Sequence, residues 1–140
     1  MREQNIIRVL SVLQHPLFRE GIAAVIENQT DMLLVAEAAS ASEAYEHFDS
    51  HRPDVTLMDL RLPDSSGIDA MNAIRRRDAN ARIVLVCNFE GDLDIQPGLG
   101  AGASGYILKT MHPKQIAAAI RSAYATEKNP PPLSAARSSR

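Results

Sequence analysis

Short apolar or β-branched runs alternate along the chain with longer stretches whose apolar residues recur at helical spacing. The runs Ile7 to Leu13, Met32 to Ala36, Val55 to Met58, Ile83 to Val86 and Ser104 to Leu108 read as strands. Between them, Phe18, Ile22, Val25 and Ile26 fall on one helical face, as do Ala41, Ala44, Tyr45 and Phe48. Ile68, Met71 and Ile74 mark a third helix, and Ile116, Ala119, Ile120 and Ala123 the last. A strand-helix alternation of this kind predicts βα units and a parallel sheet, with each apolar stripe packed on the sheet as core. One further helix, Asp92 to Ala101, contains Pro97 followed by Gly98. Together these cost about 3 to 4 kcal/mol in a helix interior, so that helix is expected to be short, kinked or mobile.

Composition narrows the class. With 140 residues, 45% of them hydrophobic, the chain can bury one core, and we place a folded unit at 1–126 and a tail at 127–140. From Thr126 the composition changes to TEKNPPPLSAARSSR, which has no apolar period, and its three prolines favour an extended linker. A net charge of −2 and a pI near 6.1 provide no basic field for gripping nucleic acid. The single cysteine, Cys87, excludes an internal disulfide framework and a cysteine-based zinc site, and the four histidines show no clustered ligand spacing. The first residues lack the apolar stretch of a signal peptide, and no run of 18 apolar residues occurs, so a soluble, cytoplasmic protein without membrane contact is expected.

In an open parallel sheet, ligands collect at the carboxyl ends of the strands. Those ends carry Leu13, Gln14 and His15, then Asp59, then Cys87 and Asn88, and finally Lys109. The pattern therefore predicts a carboxylate and an ammonium facing each other across a shallow crevice.

The segments VLQHPLFREG, DVTLMDLRLPDSSGIDA, ARIVLVCNFEGD and GAGASGYILK occur in that order. Together they resemble the receiver domains of NarL/FixJ-type (LuxR-type) response regulators over roughly residues 6–126. The tail PPLSAAR is similar to the linker that leads, in that family, to a helix-turn-helix domain, which is absent from this sequence. The resemblance implies a flavodoxin-like, doubly wound α/β domain with five parallel strands in the order 2-1-3-4-5. It also implies that Asp59 matches the phosphoryl-accepting aspartate, Lys109 the lysine that meets the phosphoryl group, Cys87 the usual serine or threonine, and Tyr106 the aromatic that reports switching. In such domains a carboxylate attacks a phosphoryl group from a histidine kinase or a small donor, and the incoming negative charge has to be neutralised, partly by magnesium.

The sequence departs from that pattern where the metal is held. The acidic pair preceding HP is replaced by Leu13 and Gln14, leaving Asp59 and the backbone carbonyl of Arg61 from the usual ligand set. Magnesium demands near-octahedral oxygen ligation. A unit charge about 4 Å away contributes about 4 kcal/mol at an effective dielectric near 20, so loss of two carboxylates predicts weak or absent metal binding. The thiol of Cys87 is a weak donor in place of a hydroxyl, and we read it as an inert thiol at the edge of the core. Without the neighbouring negative charges, Lys109 is expected to rest on Asp59.

The remaining polar features have structural readings. His15 precedes Pro16 at a helix start, and Arg75, Arg76 and Arg77 read as a solvated helix end. The function expected is that of a phosphorylation-impaired pseudo-receiver, not an enzyme and without cofactor, acting by protein-protein contact. The alternative is a competent receiver phosphorylated on Asp59. A flavin-binding or other enzyme on the same sheet is a third reading, opposed by the lack of a glycine-rich or hydroxyl-rich loop after the first strand. Expected partners are a histidine kinase or another signalling protein and a second copy of the chain, with DNA reached only through an output domain.

Overall fold

The computed structural model describes residues 6–88 and 100–125. The strands β1 (Ile7–Val12), β2 (Met32–Ala38), β3 (Val55–Asp59), β6 (Ile83–Cys87) and β7 (Gly105–Leu108) form one parallel sheet in the order β2-β1-β3-β6-β7. A two-residue ladder, β4 (Arg61–Leu62) against β5 (Ser65–Ser66), follows β3. With that ladder set aside, the order is 2-1-3-4-5, as the resemblance implied. The helices are α1 (Pro16–Glu27), α2 (Ala41–His51), α3 (Gly67–Arg77) and α4 (Pro113–Ala125). The stretch expected to form a weak helix over Asp92 to Ala101 lies for the most part outside the described residues, as does the proline-rich tail.

The sheet is buried on both faces, which explains why its central strands read as unbroken apolar runs rather than alternating ones. Leu10, Val12, Met58, Ile83 and Leu85 face α2 and α3, where Phe48, Met71 and Ile74 meet them. Val9, Leu57, Val84, Val86 and Ile107 point the other way, towards Ile22 and Ile26 of α1 and Ile116 and Ile120 of α4. Adjacent residues of one strand thus feed two different cores, as the two-residue period of a strand requires.

Helix boundaries follow local chemistry. Pro16 opens α1 in the first helical position, with His15 as its N-cap residue. Ser40 caps α2 by accepting from the Glu43 amide at 3.2 Å, and Ser66 caps α3 by accepting from the Asp69 amide at 3.0 Å. α2 ends on Arg52 in the left-handed region, φ 46°. The arginines closing α3 are more engaged than a solvated helix end. Arg75 donates to the carbonyls of Gly102 at 2.7 Å and Ala79 at 3.3 Å, while Arg77 lies 3.3 Å from Asp49 and over the Tyr45 ring. Among the described residues no helix is long and apolar enough to cross a membrane.

Candidate functional site

Asp59 is the last residue of β3, and its side chain emerges at the carboxyl edge of the sheet between the ends of β1 and β6. The residue is only 6% exposed. Leu60 follows and turns the chain into the β4-β5 ladder, which returns at Gly67 so closely that its amide donates to the Leu60 carbonyl at 2.6 Å. A Cβ at position 67 would collide with the Asp59 carbonyl oxygen and sit 2.8 Å from Leu60 Cα. Glycine is therefore required here by close backbone approach, and it helps to set where Asp59 stands.

Both carboxylate oxygens of Asp59 have partners. Oδ1 faces Lys109 Nζ at 3.7 Å, and Oδ2 accepts from the Gln14 backbone amide at 3.4 Å. The lysine contact is an ion pair longer than a hydrogen bond, between side chains 19% and 8% exposed. Its attraction at an effective dielectric near 20 is about 4 kcal/mol before desolvation, which offsets much of it. Lys109 is positioned by its own amide, which donates to the Cys87 carbonyl at 2.9 Å, and by the Phe18 ring, whose centroid is 5.4 Å from Nζ. The Phe18 contact joins α1 to the end of β7, far apart in sequence, and nothing in the local pattern around either residue announces it.

Gln14 joins two loops at this edge. Its side-chain Nε2 donates to the carbonyl of Arg61 at 3.1 Å. A carbonyl can only accept, so the amide nitrogen must be the end that faces it. The chain after β1 is thus tied to the chain after β3 by a neutral hydrogen bond running across the mouth of the cleft. Gln14, His15, Asp59, Arg61, Asn88 and Lys109 line this cleft, with Leu60 and Val86 below them.

Two positions picked out beside Asp59 do not line the cleft. Leu13 is fully buried, and its side chain joins the apolar cluster containing Ile22 and Ile26. Its carbonyl accepts from Arg19 at 2.7 Å. Leu13 continues the inward face of Val9 by strand parity, while Gln14 meets Asp59 through its backbone amide and sends its side chain to the Arg61 carbonyl. Cys87 is 1% exposed and belongs to the cluster containing Met58 and Leu85. Tyr106 is half-buried against that same cluster from β7.

The chain matches the family model described as the response regulator receiver domain over residues 9–121. It is 34% identical over 121 residues to the response regulator protein VraR of Staphylococcus saprophyticus, covering 86% of this chain and 58% of that protein. It therefore spans little more than half the length of that relative. Among solved structures, a LuxR-family two-component response regulator from Aurantimonas sp. SI85-9A1 superposes with a TM-score of 0.81 at 38% identity, covering 86% of each chain. The signal receiver domain of NarL from Mycobacterium tuberculosis superposes with a TM-score of 0.82 at 28% identity, covering 88% of this chain and 99% of that one. With a sheet of the same order and an aspartate and a lysine facing each other at its carboxyl edge, the chain belongs to the response-regulator receiver-domain family, of the LuxR/NarL type.

Proposed function

We propose that this receiver is a pseudo-receiver, an interaction module whose phosphorylation is impaired because its cleft is held together without a metal ion. The observation that carries the reading is the hydrogen bond from Gln14 Nε2 to the Arg61 carbonyl at 3.1 Å. In the family that carbonyl is a magnesium ligand. Here an amide N–H already points at it, and among the described residues Asp59 is the one carboxylate lining the cleft. A hard divalent ion needs six oxygen ligands and gives up water reluctantly. One carboxylate already paired with Lys109, together with a carbonyl already hydrogen-bonded, is a poor donor set, so the residues present do not fit magnesium.

The chemistry left to the cleft follows from its own side chains. Lys109 neutralises Asp59 in the resting state, and Gln14 supplies the link between the two loops that the ion would otherwise make. A trianionic phosphoryl donor approaching Asp59 meets a single ammonium and no divalent charge, which raises the barrier to in-line attack. We assign as partners a histidine kinase or another signalling protein and a second copy of the chain. DNA is reached only through an output domain beyond this sequence, and the setting is cytoplasmic.

A competent receiver is the second reading. What favours it is the retention of Asp59 and Lys109 at the carboxyl edge and of Tyr106 on β7, packed against the core beside them. The two readings part on incubation with magnesium and acetyl phosphate, followed by intact-mass measurement. We expect the unmodified mass to dominate, and we expect Gln14→Asp to raise magnesium affinity by at least about tenfold, one added carboxylate contributing several kcal/mol at contact distance. Stoichiometric addition of one phosphoryl group at Asp59 of the unaltered protein would overturn the pseudo-receiver.

A further inference from the structure

The four histidines show no clustered spacing when read along the sequence, yet two of them, His47 and His51, are four residues apart on one helix. In α2 that interval brings both side chains to the same face, one turn apart. Their ring centroids are 5.7 Å apart, with the planes tilted by 54°. An imidazole nitrogen binds zinc at about 2.0–2.1 Å, which puts the centroids of two rings on one tetrahedral ion about 5.2 Å apart. The pair therefore stands within about half an ångström of the separation that chelation requires.

A second feature concerns which ring nitrogen is available. Nδ1 of His51 lies 3.2 Å from the backbone carbonyl of His47. A carbonyl cannot donate, so Nδ1 carries the proton and Nε2 is left with its lone pair directed away from the helix backbone. Metal-binding histidines are oriented in just this way, with the other ring N–H given to a carbonyl or carboxylate. Both residues are half-buried and retain a route to solvent.

The third feature is electrostatic. The two rings sit in the last turns of α2, where the carbonyl end of the helix carries partial negative charge and favours a cation. Glu43, Glu46 and Asp49 on the same helix add to this, while Arg52 and Arg77 oppose it. Both arginines are engaged: Arg52 lies over the Phe48 ring and 3.9 Å from Asp78, and Arg77 is paired with Asp49.

We propose that His47 and His51 form a bidentate site for a borderline transition-metal ion of the zinc, copper or nickel class. Among the described residues no group of three or more histidine, cysteine or acidic side chains stands ready to hold a metal. The site is accordingly an open one, with two protein ligands and its remaining positions taken by water or by a ligand from a partner. Imidazole suits this class of ion, whereas magnesium prefers oxygen. The site lies at the opposite end of the sheet from Asp59, because α2 leads into the start of β3 and Asp59 closes it. Binding there stabilises the end of α2 and leaves the Asp59 cleft untouched, so the proposal does not depend on how that cleft works.

The test is calorimetric titration of the untagged protein with Zn²⁺ at neutral pH, with His47→Ala, His51→Ala, His15→Ala and His112→Ala in parallel. One ion per chain is expected. His47→Ala and His51→Ala should each weaken binding by at least about tenfold, the lower end of what perturbing a metal site costs. The other two variants should bind as the parent does. Affinity retained in the doubly substituted His47→Ala, His51→Ala protein, or no saturable binding by the parent, would overturn the assignment. Substoichiometric Cu²⁺ added to the ¹⁵N-labelled parent gives an independent readout that needs no variant to fold. Line broadening centred on the end of α2 supports the site; broadening centred on the Asp59 cleft, with α2 unaffected, rejects it.

Discussion

Gly67 shows how narrowly single residues control the site. Its position is dictated by backbone contact, since any Cβ would meet the Asp59 carbonyl oxygen and crowd Leu60 Cα at 2.8 Å. Neither neighbour is a flexible side-chain tip that could swing aside. Gly67→Ala is therefore expected to lower unfolding free energy by about 3 kcal/mol, at the upper end of ordinary overpacking costs. Urea titration would measure this, and the amide resonances of Asp59 and Lys109 should shift with it. An alanine variant with the parent midpoint and unshifted resonances would show that the turn accommodates the methyl group. Gln14 acts at the same scale: one side-chain amide joins the loop after β1 to the loop after β3 by a neutral hydrogen bond.

The elements are held by caps drawn from near and far in sequence. At the start of α2, Ser40 accepts from Glu43, Glu43 Oε1 accepts from the Ala39 amide at 2.8 Å, and Asp64 accepts from the amides of Ala41 at 2.8 Å and Ser42 at 3.1 Å. The Asp64 contribution comes from the turn between β4 and β5, so the loop that shapes the Asp59 cleft also seals the end of a neighbouring helix. The amide of Ala41, followed by that of Ser42, holds the Asp64 carboxyl below its ordinary value of 3.8. A carboxyl with a lowered folded-state pKa contributes stability that is present above its unfolded value and lost as pH falls through the folded one. Stability should thus decline below about pH 3.8 as Asp64 protonates. Asp64→Ala should cost about 1 kcal/mol at neutral pH, as loss of a helix cap does. It should also flatten the acid limb of a plot of urea midpoint against pH; an acid limb as steep as the parent's would argue against the cap.

At the scale of the whole molecule, the contacts that close the domain link the last helix to early strands. Arg121 of α4 donates to Asp31, just before β2, from Nε at 2.8 Å and from one terminal amino group at 3.0 Å, and that same amino group reaches Gln29 Oε1 at 2.6 Å. The hydrogen bond from Arg121 pulls the Asp31 carboxyl below the usual carboxylate range, and Asp31 in turn pushes the guanidinium up. Both side chains are about a third or more exposed, which limits the net contribution of the pair. Arg121→Ala is expected to reduce unfolding free energy by about 1 kcal/mol or less. Amide exchange should accelerate first along α4, because the lost contact is a polar tie anchoring that helix. Faster exchange spread evenly over the sheet, with α4 no more affected than β3, would show that the helix is secured by its apolar face alone.

The two-residue and helical periods in the sequence determined the five parallel strands, the four described helices and the apolar faces that join them, because burial on both sides of a parallel sheet leaves a pattern in local composition. The edge position of Asp59 and Lys109 was legible for the same reason, since each directly follows or ends an apolar run. Only the tertiary structure decided that Leu13 turns into the core while Gln14 crosses to the Arg61 carbonyl, that Phe18 lies under Lys109, that Arg75 binds carbonyls across a turn, and that Asp64 caps α2. Each of these depends on where two distant segments are brought together. Periodicity records which face a residue occupies; which partner waits on that face is set by packing.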